Sequence, residues 1–149
     1  MQIGRAGCKL GAMNDDLTTL LSAVRLHENA VAPARIAHAE RALGVRFPED
    51  FKAFLAEHDG GEGKVGEAPI ELWRLDELIS KNEDSEMTRA SPGLVVFADD
   101  GGAEAYAFYC KEKDCTQVGR IGELAAGEHE FEPMGNSFAQ FLEALAHSS

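Results

Sequence analysis

The sequence predicts a single α+β domain: helices first, a central and mostly antiparallel sheet, and one helix closing the chain. Two observations carry this reading. The stretch Pro92 to Tyr109 holds two apolar and aromatic runs, Leu94–Ala98 and Ala103–Tyr109, around an acidic turn at Asp99, Asp100, Gly101 and Gly102, which is the pattern of a β-hairpin. Amphipathic helical stripes lie on both sides of it in the chain. Strand alternation puts Glu104, Tyr106 and Phe108 on one hairpin face and Ala103, Ala105, Ala107 and Tyr109 on the other, and the small-residue face suits close packing of a helix. A hairpin alone is marginal, so the remaining elements have to cover it.

Taken in order, residues 1–13 show no apolar period and are expected to be a disordered leader, with residues 14–149 forming the domain. Leu17, Leu20, Leu21 and Val24 fall at helical spacing and predict a first helix from Asn14 or Asp15 to about His27. Pro33 or Ala34 opens a second helix that ends at Leu43, with Gly44 in the left-handed terminating position. Val45 to Pro48 is an extended link, because the residue before proline is pushed out of helical geometry. A third helix starts at Pro48 with Glu49 and Asp50 in its first turn, buries Phe51, Phe54, Leu55 and His58, and stops at the turn cluster Asp59-Gly60-Gly61-Glu62-Gly63. A short helix spans Leu75–Ser80, followed by a polar loop from Lys81 to Ser91. Beyond the hairpin, Lys111–Asp114 reads as a charged connection, Gln117–Ile121 as a strand, and Phe131 as part of a short final strand ending at Pro133. Ser137 and Gln140 fit a capping box, and Phe138, Phe141, Leu142 and Leu145 make an unbroken helical stripe.

Acidic residues outnumber basic ones by 26 to 14, a formal net charge of -12. Direct binding to nucleic acid or to an anionic membrane would work against that field, and the chain has no Lys/Arg cluster to offset it. No apolar run is long enough to cross a bilayer and no secretory signal layout is visible, so the expected location is the cytoplasm. Three cysteines, Cys8, Cys110 and Cys115, make no disulfide framework and no zinc pattern, and are read as reduced thiols. No metal or cofactor is expected. Asp99, Asp100 and Glu104 are three close carboxylates able in principle to do acid/base work, but no histidine or phosphate loop accompanies them in sequence, and a solvated turn is the preferred reading.

The run Leu43-Gly44-Val45-Arg46-Phe47-Pro48-Glu49-Asp50-Phe51, the turn through Gly60-Gly61-Glu62-Gly63, the segment Glu71-Leu72-Trp73-Arg74-Leu75-Asp76-Glu77-Leu78, and the hairpin occur in the order that members of the SUKH superfamily show. The chain resembles that superfamily, in particular its Smi/Knr-type branch, over roughly residues 32–147. Asp59 stands for the usual Asn, Phe47 for Leu, Ala103 for a third hairpin glycine, and Arg74 for a helix-capping serine, which weakens the start of the short helix. The resemblance implies a binding module: SUKH proteins act as bacterial immunity proteins that neutralise toxins, many of them nucleases, and a fungal branch regulates cell-wall assembly through protein contacts. The expected partner is therefore a basic protein such as a cognate toxin domain, met by loop acids at Asp59, Glu62, Asp99, Asp100, Glu104, Glu128 and Glu130. Replacing Asp99 and Asp100 by Asn is expected to slow association and leave stability unchanged. The alternatives are a regulatory adaptor unrelated to toxins, or an enzyme or small-ligand protein built on Asp99, Asp100 and Glu104.

Overall fold

In the computed structural model, which describes residues 15–84, 93–102, 104–123 and 129–147, the chain folds as an α+β domain around one antiparallel sheet. The sheet has seven strands in chain order: β1 (Val24–Leu26), β2 (Gly61–Val65), β3 (Ala68–Leu72), β4 (Leu94–Asp99), β5 (Ala105–Lys111), β6 (Asp114–Glu123) and β7 (His129–Gly135). The helices are α1 (Asp15–Leu20), α2 (Pro33–Leu43), α3 (Glu49–Leu55), α4 (Leu75–Asp84) and α5 (Phe138–His147). Residues 1–13, expected to be a leader, and Glu128 lie outside the described residues, as does most of the expected loop Lys81–Ser91.

Seven of the eight phenylalanines fill one core between the sheet and helices α1, α3 and α5. Phe51, from α3, sits at its centre with ring centroids 4.8 Å from Phe108, 5.2 Å from Phe138 and 5.6 Å from Phe97. Phe97 and Phe108 stack at 4.3 Å across β4 and β5. The helices thus cover the Tyr106 and Phe108 face of the hairpin, not the small-residue face expected to receive one. Large rings bury more apolar area and interlock with Phe51 and Phe141, whereas Ala105 and Ala107 are covered in part by Val96, Ile121 and Phe131 of neighbouring strands.

Three further expectations are corrected. The first helix stops at Leu20, and Val24–Leu26 is an edge strand paired with Leu26↔Gly61 and Val24↔Gly63; Val24 fits the helical stripe in sequence but is buried equally well as a strand residue. The glycine cluster after α3 is strand β2, not only a turn. A Cβ at Gly61 would lie 2.7 Å from the Arg25 carbonyl oxygen, so glycine is what lets β1 approach this closely. The reduced-thiol reading also gives way for two of the three cysteines: Cys110 and Cys115 are joined as a disulfide, and Cys8 lies outside the described residues. The charged connection between them is a two-residue turn, Glu112-Lys113, closed by the pair Lys111↔Asp114, and it sets the two cysteines directly opposite each other.

The third helix is anchored at both ends of its function. Its Asp50 carboxylate accepts the Phe138 N–H at 3.2 Å and the Ala139 N–H at 2.8 Å, capping α5 from a distant part of the chain. Ser137 accepts the Gln140 N–H at 3.1 Å as the capping motif predicts, while Gln140 Oε1 accepts from the Asn136 N–H. Helix α4 runs to Asp84, four residues past the expected end, because Asn82 is buried against β4.

Candidate functional site: an acidic row on the sheet face opposite the helices

The face opposite the helices is built by register. Cross-strand pairing lines up Arg25, Glu62, Glu71, Asp99, Ala105, Ile121 and Phe131, one residue from each strand. Three consecutive members are carboxylates and the last three are apolar. A bulge at Phe97 makes this possible, since it lets Phe97 and Ala98 both turn toward the core and shifts Asp99 to the outer face. Carboxylates placed directly opposite one another repel, at a cost of roughly a few tenths of a kcal/mol per pair. Folding alone gives no reason to keep Glu62, Glu71 and Asp99 in one row.

Arg25, Glu62, Glu71 and the turn residue Asp100 also border an open pocket of 740 Å³, lined as well by Gly63 and Pro69. Glu62, Glu71 and Arg25 are exposed. Asp99 is held in place: its Oδ2 accepts the Trp73 indole N–H at 2.9 Å and its Oδ1 accepts the Gly101 N–H at 2.8 Å. Asp100 Oδ1 accepts the N–H groups of Gly102 at 2.8 Å and Glu104 at 3.3 Å. These two acids therefore build the hairpin turn, and the expectation that replacing both leaves stability unchanged is withdrawn, because amide side chains would alter those bonds. Trp73 joins the two sheet faces: it packs against both apolar clusters, and Lys81 Nζ sits 4.3 Å from its ring centroid.

Two expected site residues lie elsewhere. Asp59 is only 8% exposed, and its Oδ1 accepts the Leu75 N–H at 2.7 Å. It caps α4 across the fold, supplying the acceptor that Arg74 cannot, while Glu77 Oε1 accepts the Arg74 N–H at 3.2 Å. A buried cap is not available to a partner. Glu104 is on the helix side of the sheet, where Arg120 Nη1 stands 3.4 Å from its carboxylate. The carboxylate is thus paired by a guanidinium. Of Glu130 only the backbone is described, paired with Gly122 in β7.

Arg120 lies in the row Tyr106, Arg120, Glu132 on the helix side, with Glu132 Oε1 at 3.6 Å from its Nε. Burial pushes the Tyr106 phenol up to about 12, helped by the charges of Asp100, Glu104 and Asp99 and opposed by Arg120. The neutral phenol is favoured in the folded state, so the contribution of Tyr106 to stability is fully present below about pH 10 and is lost as pH rises from there through about 12. An ultraviolet titration should show Tyr106 ionising with or after unfolding, and ionisation of Tyr106 near pH 10 in the native protein would contradict the burial.

Sequence reasoning named Glu62, Asp99 and Asp100 of this face and missed Arg25 and Glu71. A signal for Glu71 existed: Ala68, Ile70 and Leu72 alternate with Pro69 and Glu71 just after the tight turn at Gly66, which has φ +64°. The two described core-edge histidines are tied to the backbone, His27 Nδ1 at 3.0 Å from the Asp59 carbonyl oxygen and His58 Nδ1 at 2.9 Å from that of His27. Among the described residues no three His, Cys, Asp or Glu side chains are grouped to hold a metal ion, and no helix is long and apolar enough to cross a membrane.

Comparison with known proteins agrees with the motif order. Uncharacterized protein YnaB of Bacillus subtilis (strain 168) is 39% identical over 56 residues, a match spanning 38% of this chain and 37% of that protein. The model of the SMI1 / KNR4 family (SUKH-1) matches residues 30–144, from the segment before α2 to the last turns of α5. The chain belongs to the SMI1 / KNR4 family (SUKH-1).

Proposed function

We propose that the protein is a binding module that neutralises a cognate basic toxin domain, as an immunity protein of a bacterial polymorphic-toxin system acting in the cytoplasm. The observation that carries this reading is the carboxylate row Glu62, Glu71 and Asp99, whose exposed members Glu62 and Glu71 border an open pocket in a chain of net charge -12. Toxins that cut nucleic acid carry basic clefts, and a negative face complements them. The family match supports a protein partner. The enzymatic alternative loses its constellation, because Glu104 is on the other side of the sheet from Asp99 and is paired with Arg120.

The test uses the product of the gene adjoining this one. Co-expression should protect cells from that product, and association of the two purified proteins should slow about tenfold or more between ~50 mM and ~500 mM salt. Glu62→Gln with Glu71→Gln should slow association several-fold while stability stays level or rises slightly, since a repulsive pair is removed. Protection without any salt or charge dependence would retain the immunity role and reject the acidic face. A partner that is itself acidic, with no protection, would favour the regulatory-adaptor reading.

A further inference from the structure

The Cys110–Cys115 bond lies where three parts of the chain meet, and nothing in the toxin-binding reading uses it. Cys110 donates its N–H to the Gly93 carbonyl at 2.7 Å and Cys115 donates to the Arg46 carbonyl at 3.1 Å. Both amides therefore point away from the partner strand, which marks a non-hydrogen-bonded pair, the position where facing side chains come closest. The turn beyond it is unfavourable in itself: Glu112 and Lys113 adopt φ of +51° and +78°, a conformation that Gly and Asn take readily and Glu and Lys take only at a cost. The same turn holds the α2–α3 link. Arg46 donates its N–H to the Lys113 carbonyl at 2.6 Å, its Nε lies 2.6 Å from Asp114 Oδ1, and the next residue, Phe47, enters the aromatic core.

We propose that this disulfide is a redox-responsive staple: it holds the disfavoured β5–β6 turn in shape, and through the turn it orders the link between α2 and α3. Cut the bond, and the turn loses the covalent constraint beside its two positive-φ residues. The reductant is a dithiol. One of its thiolates attacks a protein sulfur to give a mixed disulfide and expel the other protein sulfur, which takes up a proton; the second thiol then displaces the first protein sulfur, leaving two cysteine thiols and the oxidised dithiol. Two electrons and two protons pass to the protein. Cys110 and Cys115 are 6% and 8% exposed, so exchange proceeds through opening of the exposed turn beside them. The order of this corner then follows the thiol poise of the compartment.

The experiment uses the full chain purified in air, with dithiothreitol as the probe. Alkylation and peptide mass measurement should find Cys110 and Cys115 protected before reduction and both modified after it. Hydrogen exchange on reduction should speed up about tenfold or more at the amides of Arg46 and Cys115, beyond any change at Leu142 and Leu145 of α5, whose exchange reports the global loss of stability alone. The unfolding midpoint should fall by about 5 to 10 °C, as expected for opening a short loop. Cys110→Ser with Cys115→Ser should match the reduced protein and ignore dithiothreitol. Free thiols at both positions in the air-purified chain, or exchange at Arg46 that does not change on reduction, would overturn the proposal. So would a double variant that still responds to the reductant. If that variant fails to fold, the reduction series on the natural chain decides alone.

Discussion

Replacing Phe51 by Ala should lower folding stability by about 4 kcal/mol, the upper range for losing a buried aromatic ring. The size follows from position. Phe51 is 2% exposed and meets the rings of Phe47, Phe54, Phe97, Phe108 and Phe138, so its removal opens a void lined by groups from α3, β4, β5, α5 and the α2–α3 link. Rigid rings anchored on four elements collapse poorly into such a void, and the cavity cost adds to the lost transfer energy. Urea denaturation measures it, with a thermal midpoint lower by roughly 10 °C or more. Phe131→Ala is the matched comparison. That ring is half-buried on the other face, 5.9 Å from Tyr109, and its loss should cost about 1 to 2 kcal/mol. A Phe51 variant no worse than the Phe131 variant would mean that the aromatic cluster is not the centre of the fold.

The elements legible in the sequence are those whose signal is local. Helix α5 carries its own cap and its own stripe, and in the structure Phe138–His147 is helical with Phe138, Phe141, Leu142 and Leu145 buried. The hairpin β4–β5 was visible from its turn residues, and Gly44 takes the left-handed position at φ +71° that its place after Leu43 demands. What was not legible depends on partners far along the chain. Val24 satisfies a helical stripe and a strand equally, and only its pairing with Gly63 decides between them. Gly61 looks like turn chemistry until β1 is seen lying against it. The acidic row could not be read as a row, because Glu62, Glu71 and Asp99 are brought together by register, and the bulge that rotates Asp99 outward is defined by β5 rather than by Phe97 itself. Asp59 is not a surface acid for the same reason: its glycine-rich segment suggests exposure, but a helix N-terminus sixteen residues later buries it. The cysteine pair shows how one turn changes a conclusion, since C-x4-C is unremarkable in a loop and is a facing pair across a two-residue hairpin.

Asn82→Ala should destabilise the protein by about 2 to 4 kcal/mol, more than its loss of side-chain volume would suggest, because the amide stands in for a missing strand. β3 pairs with β4 only through Glu71↔Asp99 and Leu72↔Ala98, after which the chain leaves the sheet at Trp73 and enters α4. The Trp73 N–H still reaches the Phe97 carbonyl at 3.1 Å, but Val96 lies beyond it with peptide groups on the abandoned side. Asn82, 7% exposed on α4, meets both: its Oδ1 accepts the Val96 N–H at 2.8 Å, and its Nδ2 donates to the Val96 carbonyl at 2.6 Å and to the Leu78 carbonyl at 2.7 Å. Alanine would strand a buried donor and a buried acceptor at once, each costing about 1 to 3 kcal/mol when left unpaired. Asn82→Asp separates the two halves of this account. The carboxylate keeps an acceptor for the Val96 N–H but turns a charge against two carbonyl oxygens, so at neutral pH it should be at least as damaging as alanine, and it should recover part of the loss at low pH where the protonated acid again donates. Denaturant unfolding of both variants gives the energies, and hydrogen exchange at the Val96 amide reports the bond directly: protection should drop with alanine and persist in part with aspartate. An alanine variant within about 0.5 kcal/mol of the natural chain, with Val96 still protected, would show that α4 holds the sheet edge by apolar packing alone.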